Sequence, residues 1–182
     1  MRIIGVDPGN AVTGFGVIER ATHLRFICAG TIRSNGMKRG PLRLAMLYKE
    51  LLSVVKEYAP HTMSLERSFV ATNVQSAFTL GEARAIAMLV AAHRDLELFE
   101  YSPTDVKLSI AGYGRADKHQ VKQMVRRTLT IDAATEIADD AGDALAIALC
   151  HILRSRIPSA PSRKDSSIAH LSRAPRSPQD HQ

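Results

Sequence analysis

Five acidic residues stand where a carboxylate needs explaining. Asp7, in IIGVDPGNAVTGFGVI, closes an otherwise apolar run and is followed by Pro8, Gly9 and a glycine-rich second run. Burying a carboxylate is costly unless a cation or several donors compensate, so something positive should sit beside Asp7. Glu66, in TMSLERSF, again ends an apolar run, and Asp139, Asp140 and Asp143 open the apolar stretch ALAIALCHIL. Residues three or four apart share a helix face, so Asp140 and Asp143 can point to one place, as can Asp139 and Asp143. Each acid has an ordinary explanation when taken alone: a turn aspartate at a strand end, or first-turn acids favoured by the helix dipole. Their conjunction says more. Carboxylates that converge without basic partners repel one another, and hard divalent ions such as Mg²⁺ prefer carboxylate oxygens and offset that repulsion. Two ions bridged by shared carboxylates are a recurring device for phosphodiester hydrolysis, which implies a nucleic-acid backbone as substrate.

The elements that must carry these acids are legible from periodicity. Ile3, Ile4 and Val6, then Phe15, Val17 and Ile18, then Leu24, Phe26 and Ile27 form three short apolar runs separated by turn chemistry, the pattern of consecutive hairpin strands. Apolar residues at 44, 47, 51, 54, 55 and 58 predict a helix from Leu42 to Tyr58, stopped before Pro60. Thr62 to Leu65 reads as a strand that delivers Glu66 to a sheet edge. Thr72 and Gln75 resemble a capping box ahead of a long alanine-rich helix. Leu96 to Tyr101 alternates as a strand does and ends at Ser102-Pro103. Asp117 with Gln120 caps a further helix, and a last one runs from about Asp140 to Leu153. The order β-β-β-α-β-α-β-α-α is an α/β domain whose sheet is covered by helices.

Four segments in order and spacing, GVDPGNAVTGFGVI, LERSFVATNVQSAFTLGEARA, FEYSPTDVKLSIAGYGRADKHQV and DAGDALAIAL, resemble the RuvC-type Holliday-junction resolvases, members of the RNase H-like superfamily. The resemblance covers roughly residues 1–155. One segment alone would be weak, since glycine-rich strand pairs with an aspartate also occur in sugar-kinase and actin-like ATPases. The resemblance implies an RNase H-like five-stranded mixed sheet flanked by helices, a homodimer, and Mg²⁺-dependent paired nicking of four-way DNA junctions, with two ions per subunit and Mn²⁺ as a substitute. By motif, Asp7, Glu66, Asp140 and Asp143 correspond to the family's acidic metal ligands. Asp140 is preferred over Asp139 because it begins the DAGDALAIA pattern, which leaves Asp139 as an N-terminal helix acid. Lys107 and Lys118 match basic positions near the scissile phosphate, where an ammonium could hold a phosphate oxygen or neutralise developing charge. Phe69 matches an aromatic that stacks on a base near the junction centre. Arg115, in GYGRADK, is a further phosphate contact, and Asn73 joins the DNA-binding set while opening the helix that matches the segment near the dimer interface. Arg67, Lys122, Arg126 and Arg127 could extend a basic track, although a solvated helix face explains the last three nearly as well. A branch-migration motor is the further partner the family leads one to expect.

Composition narrows the field around this reading. The 182 residues carry 24 Lys and Arg against 18 Asp and Glu, a net +6 that favours polyanionic partners. Half of that excess lies in residues 156–182, a stretch with four prolines and six serines and almost no periodic apolar residues, which reads as a mobile basic tail. Cys28 and Cys150 are isolated, and the seven histidines show no metal-ligand pairing, which sets aside disulfides and structural zinc. No apolar run approaches the roughly 18 residues of a membrane span, and the start MRIIGVDPGN lacks a basic segment followed by an apolar one, so a cytoplasmic location is expected. An actin-like ATPase would need a second phosphate motif and a second lobe, both missing here. A junction-binding protein without nuclease activity is disfavoured by acids at all four matched positions.

Overall fold

The computed structural model describes residues 1–34, 40–67 and 74–155. Arg2–Asp7 (β1), Val12–Arg20 (β2) and Leu24–Arg33 (β3) form an antiparallel meander, followed by helix α1 (Pro41–Tyr58) and strand β4 (Thr62–Glu66). Helix α2 (Val74–His93), strand β5 (Glu97–Tyr101) and helices α3 (Pro103–Ala111), α4 (Lys118–Thr128) and α5 (Asp139–Arg154) complete the described elements. The sheet runs β3-β2-β1-β4-β5, with β4 and β5 parallel to β1. This is the five-stranded mixed sheet flanked by helices that was expected; α1, β4, β5 and α5 fall within a residue of their expected bounds, while β2 and β3 extend beyond their apolar runs, over Val12–Arg20 and Leu24–Arg33.

Side chains alternate across the sheet, and each face has its own core. On one face Ile3 and Ile18 pack with Leu145, Ile147, Leu149 and Ile152 of α5 and with α3 and α4. On the other, Ile4, Val6, Met63 and Leu65 pack with Leu47, Leu51 and Val55 of α1 and the alanine-rich inner face of α2. Burying a side chain such as Leu or Ile is worth about 1.5–3 kcal/mol, so the doubly covered sheet centre is the most strongly held part of the molecule. Helix α5 lies so close to it that a Cβ on Gly5 would fall 2.0 Å from the Ala144 carbonyl oxygen.

One element departs from the expectation. Ser102-Pro103 ends β5, but it also starts α3, which the periodicity reading did not place. Ser102 caps the helix by accepting from the Asp105 amide, Asp105 reciprocates with the Ser102 amide, and Pro103 takes a first-turn position where no amide is needed. The same residues therefore serve as a strand stop and a helix start. The Asp117–Gln120 capping box on α4 forms as expected. Thr72, proposed as a cap for α2, and the tail 156–182 lie outside the described residues. Among the described residues, no helix is long and apolar enough to cross a membrane.

Candidate active site

Alternation along β1 puts Asp7 on the same face as Ile3 and Gly5, the face covered by α5. The parallel neighbour β4 is in register with Val6 opposite Leu65, so Asp7 and Glu66 end adjacent strands side by side. Glu66 shares its side of the sheet with Thr62 and Ser64, whereas Met63 and Leu65 belong to the opposite core. Both acids thus reach the α5 face at the carboxyl end of the sheet. Across the hairpin, Asp7 pairs with Gly14, and a Cβ there would sit 2.0 Å from the Asp140 carbonyl oxygen. The missing side chain at Gly14 is what lets the first turn of α5 settle directly over the Asp7 strand. Asp140 and Asp143, three apart on that helix, accompany it.

The Asp7 carboxyl feels the other three acids. Burial, then the negative charges of Glu66, Asp143 and Asp140, push the Asp7 carboxyl up to about 7, against a smaller opposing pull from Lys118. Lys118, the first residue of α4, places its ammonium 2.6 Å from Asp143, and that hydrogen bond raises its own pKa. An open cleft of about 220 Å³ lies before the site, lined by Glu66, Pro103, Val106, Lys107, Lys118, Val121, Asp143 and Ala146. Three of its lining groups are therefore the two cleft lysines and Asp143, on α3, α4 and α5. Arg115 is exposed on the turn between α3 and α4.

Not every acid and base singled out beforehand joins this group. Asp139 turns outward and pairs with Lys122 of α4, which holds its carboxyl below the usual range. Lys122 is thereby engaged, and Arg126 donates to the carbonyls of Asp132, Ala133 and Thr135. Arg67 lies 4.0 Å from Glu100. Phe69 and Asn73 lie outside the described residues.

Two arginines that periodicity did not single out reach the strand ends from the opposite face. Arg43 occupies the buried stripe of α1 with Leu47, Leu51 and Val55 and donates to the Asn10 carbonyl at 2.8 Å. Arg84 of α2 donates to the Glu66 carbonyl at 2.9 Å. Arg43 continues an apolar stripe at four-residue spacing, a faint signal of a buried charge, whereas Arg84 lies beside the buried stripe of α2 and gave none.

A family model described as crossover junction endodeoxyribonuclease RuvC matches residues 3–151. The chain belongs to the RuvC family of crossover junction endodeoxyribonucleases. Its relatives include the RuvC enzymes of Caldicellulosiruptor saccharolyticus, 41% identical over 85% of this chain and 94% of that one, and of Cupriavidus metallidurans, 43% identical over 83% of each. A solved Thermus thermophilus RuvC in complex with Holliday junction substrate superposes with a TM-score of 0.79 at 28% identity, covering 86% of this chain and 95% of that chain. Fold similarity extends to the yeast mitochondrial Holliday junction resolvase Ydc2, with a TM-score of 0.61 at 15% identity over 83% of this chain and 78% of that one.

RuvC-family nucleases depend on divalent metal, and the donor set here suits a hard cation: carboxylates alone, with the Asp7 carboxyl raised first by burial and then by the neighbouring acids. The set is not closed. Among the described residues, no three Asp, Glu, His or Cys side chains are grouped tightly enough to enclose an ion, and the Lys118 ammonium stands on Asp143. The residues fit a metal in kind, with closure requiring side-chain adjustment.

Proposed function

We propose that this protein resolves four-way DNA junctions by paired, symmetric hydrolysis of phosphodiesters in recombination and repair, with Asp7, Glu66, Asp140 and Asp143 as the metal-binding catalytic acids. The observation that carries the reading is the convergence of these acids on Asp7, from two parallel strand ends and one helix N-terminus, in a RuvC-family fold. Mg²⁺, as two ions per subunit or replaced by Mn²⁺, would be held by these four residues and would supply an activated water and neutralisation of the leaving oxygen.

The chain's own groups do the rest. The acids carry enough negative charge to refuse a phosphate until positive charge arrives, which makes cleavage conditional on the loaded site. Lys118 and Lys107 stand at the cleft where a backbone phosphate would enter, and each can hold a non-bridging oxygen or the charge that develops on the departing one. Lys118 also offsets the repulsion among the acids through its bond to Asp143. Arg115, on its exposed turn, extends the phosphate contacts, and Phe69 and Asn73 are assigned to the bases and backbone near the exchange point.

A homodimer supplies two such sites for two strands. Its support is α2, whose outer face exposes Val74, Phe78, Met88 and Leu89, with Phe78 60% exposed, opposite the buried stripe of Thr79, Ala83, Ala87 and Val90. A branch-migration motor delivering the junction and a cytoplasmic location complete the proposal.

The test is cleavage of labelled four-way, three-way and linear duplexes with Mg²⁺ and with chelator. Wild type is expected to cut the four-way junction in the metal-dependent arm. Asp7→Asn is expected to lower that rate by roughly a thousandfold, about 4 kcal/mol of barrier, while junction binding is kept or strengthened. An Asp7→Asn variant that cuts at the wild-type rate removes the assignment.

A further inference from the structure

We infer that Arg43 and Arg84 are positioning residues that hold the two strand ends carrying Asp7 and Glu66, an inference that rests on the metal-ligand reading above. Arg43 is only 3% exposed. Its guanidinium donates to the Asn10 carbonyl at 2.8 Å and approaches the Gly9 carbonyl at 3.5 Å, two and three residues beyond Asp7. A second nitrogen lies 3.5 Å from the Glu82 carboxylate of α2. Arg84 has the same construction on the neighbouring strand. One nitrogen donates to the carbonyl of Glu66 itself at 2.9 Å, and another is ion-paired with Glu100 of β5, whose second oxygen lies 4.0 Å from Arg67.

Stability alone explains these groups poorly. A buried ion pair is often matched or exceeded in stability by well-packed apolar side chains, and leucine at position 43 would simply continue the α1 stripe. What a guanidinium adds is direction: five donors in a planar fork, able to grip a carbonyl on one side while an acid fixes the other. Each arginine therefore ties a loop or strand-end peptide to a rigid element. The anchoring acid of the first and the guanidinium of the second both come from α2, at positions 82 and 84. One helix thus holds both strand ends from the face opposite the cleft.

Displacing a reacting group by about 1 Å can cost a hundredfold in rate, and loss of an outer partner of a metal ligand typically costs 10–100-fold in metal affinity or activity. Arg84→Gln is accordingly expected to lower the cleavage rate at saturating protein by about 10–100-fold. It should weaken Mn²⁺ binding, followed by the paramagnetic resonance signal of the free ion, by at least tenfold. Junction affinity measured in chelator and the native circular dichroism spectrum should stay as in wild type. Arg84→Lys should recover part of both losses, because an ammonium restores the charge but not the fork. Arg43→Lys is expected to show the same pattern more weakly.

Glu100→Gln and Glu82→Gln keep the arginines but remove the anions that orient them, so they carry the decision if a direct variant loses its native spectrum. Each should lower both rate and Mn²⁺ affinity at least threefold. Asp7→Asn, run alongside, separates the two levels. If it binds Mn²⁺ and cleaves as wild type does, the metal-ligand reading fails. If it loses both while the arginine and glutamate variants stay within twofold of wild type in rate and Mn²⁺ affinity, the positioning inference alone fails. It fails too if Arg84→Gln loses junction affinity with an unchanged saturating rate, which would make Arg84 a DNA contact.

Discussion

The two ends of α5 carry polar clusters of similar size and opposite character. At the C-terminal end every polar group has a partner: His151 shares a hydrogen bond with the Tyr101 hydroxyl at 2.8 Å, Cys150 lies 3.4 Å from the Ser109 hydroxyl, and Arg154 pairs with Asp105 at 2.8 Å. At the N-terminal end the balance fails. Asp140 and Asp143 join Asp7 and Glu66, and the Lys118 ammonium at Asp143 leaves the Asp7 carboxyl elevated to about 7. Both clusters are built on the same largely buried helix. The difference teaches that a settled set of charges holds a fold together, whereas an unsettled one is kept for a ligand that arrives later.

After the loss of Asp7 itself, the largest effect should come from the position that brings the two elements of the unsettled end together. An Ala side chain at Gly14 would meet the Asp140 carbonyl oxygen at 2.0 Å, and backbone must move because there is no flexible group to yield. Gly14→Ala is expected to cost about 1–3 kcal/mol in a thermal or denaturant melt. Cleavage should fall by well over tenfold, because the α5 first turn is pushed off the Asp7 strand. A wild-type cleavage rate in this variant would mean that Asp140 need not sit where the fold puts it. Next is Lys118→Met, which should lower junction cleavage by about 10–100-fold, reaching at most the low end of the roughly 100–1,000-fold range for removing one charge-stabilising donor. Its melting temperature should change little, since the lysine is more than half exposed. Equal losses of stability and rate would move Lys118 to the settled class.

Much of this contrast could be read before any coordinates. The acids of the unsettled end announce themselves because each interrupts or opens an apolar run, and an acid in such a place demands a reason. The glycines of GVDPGNAVTGFG give the other half, since a strand pair without side chains invites close approach by something. What could not be read was the partner across space. Arg43 and Arg84 look like ordinary helix residues until the fold places backbone carbonyls beside them. Asp139 and Asp140 are indistinguishable by spacing, and only the direction of the α5 first turn sends Asp139 to Lys122. Helix α3 was hidden because Pro103 has two meanings, a strand stop and a helix first turn, and periodicity over nine residues is too short to decide between them.

The settled end makes its own prediction with pH. His151 is 3% exposed, and burial holds its pKa below the ordinary 6.5, with Glu97 opposing. The unfolded chain therefore takes up a proton at higher pH than the folded one does, so stability rises with pH across that interval. The contribution is fully present above pH 6.5 and is lost as pH falls through the ordinary value towards the folded one. Melts between pH 8 and pH 5, in wild type and in His151→Gln, should show a decline on acidification that the variant lacks in part. Identical profiles would show that His151 is not held neutral by its surroundings.

The smallest effect belongs to Arg154, and it tests whether the two ends are separate. Its partner Asp105 is held below the usual carboxylate range first by the Ser102 hydroxyl, which donates at 2.7 Å, and only in smaller part by Arg154. Arg154 also lies 6.0 Å from the centre of the Tyr101 ring, a weak attraction at a half-exposed site. Arg154→Met keeps the aliphatic packing and removes both contacts, so the loss should stay under about 1 kcal/mol. Ser102→Ala, which removes the α3 cap, should cost about 1 kcal/mol or more. Neither change touches the acids at the other end of the helix, and junction cleavage by Arg154→Met should match wild type. A lowered rate in that variant at unchanged stability would show that α5 transmits strain along its length, and the division between settled and unsettled ends would no longer hold.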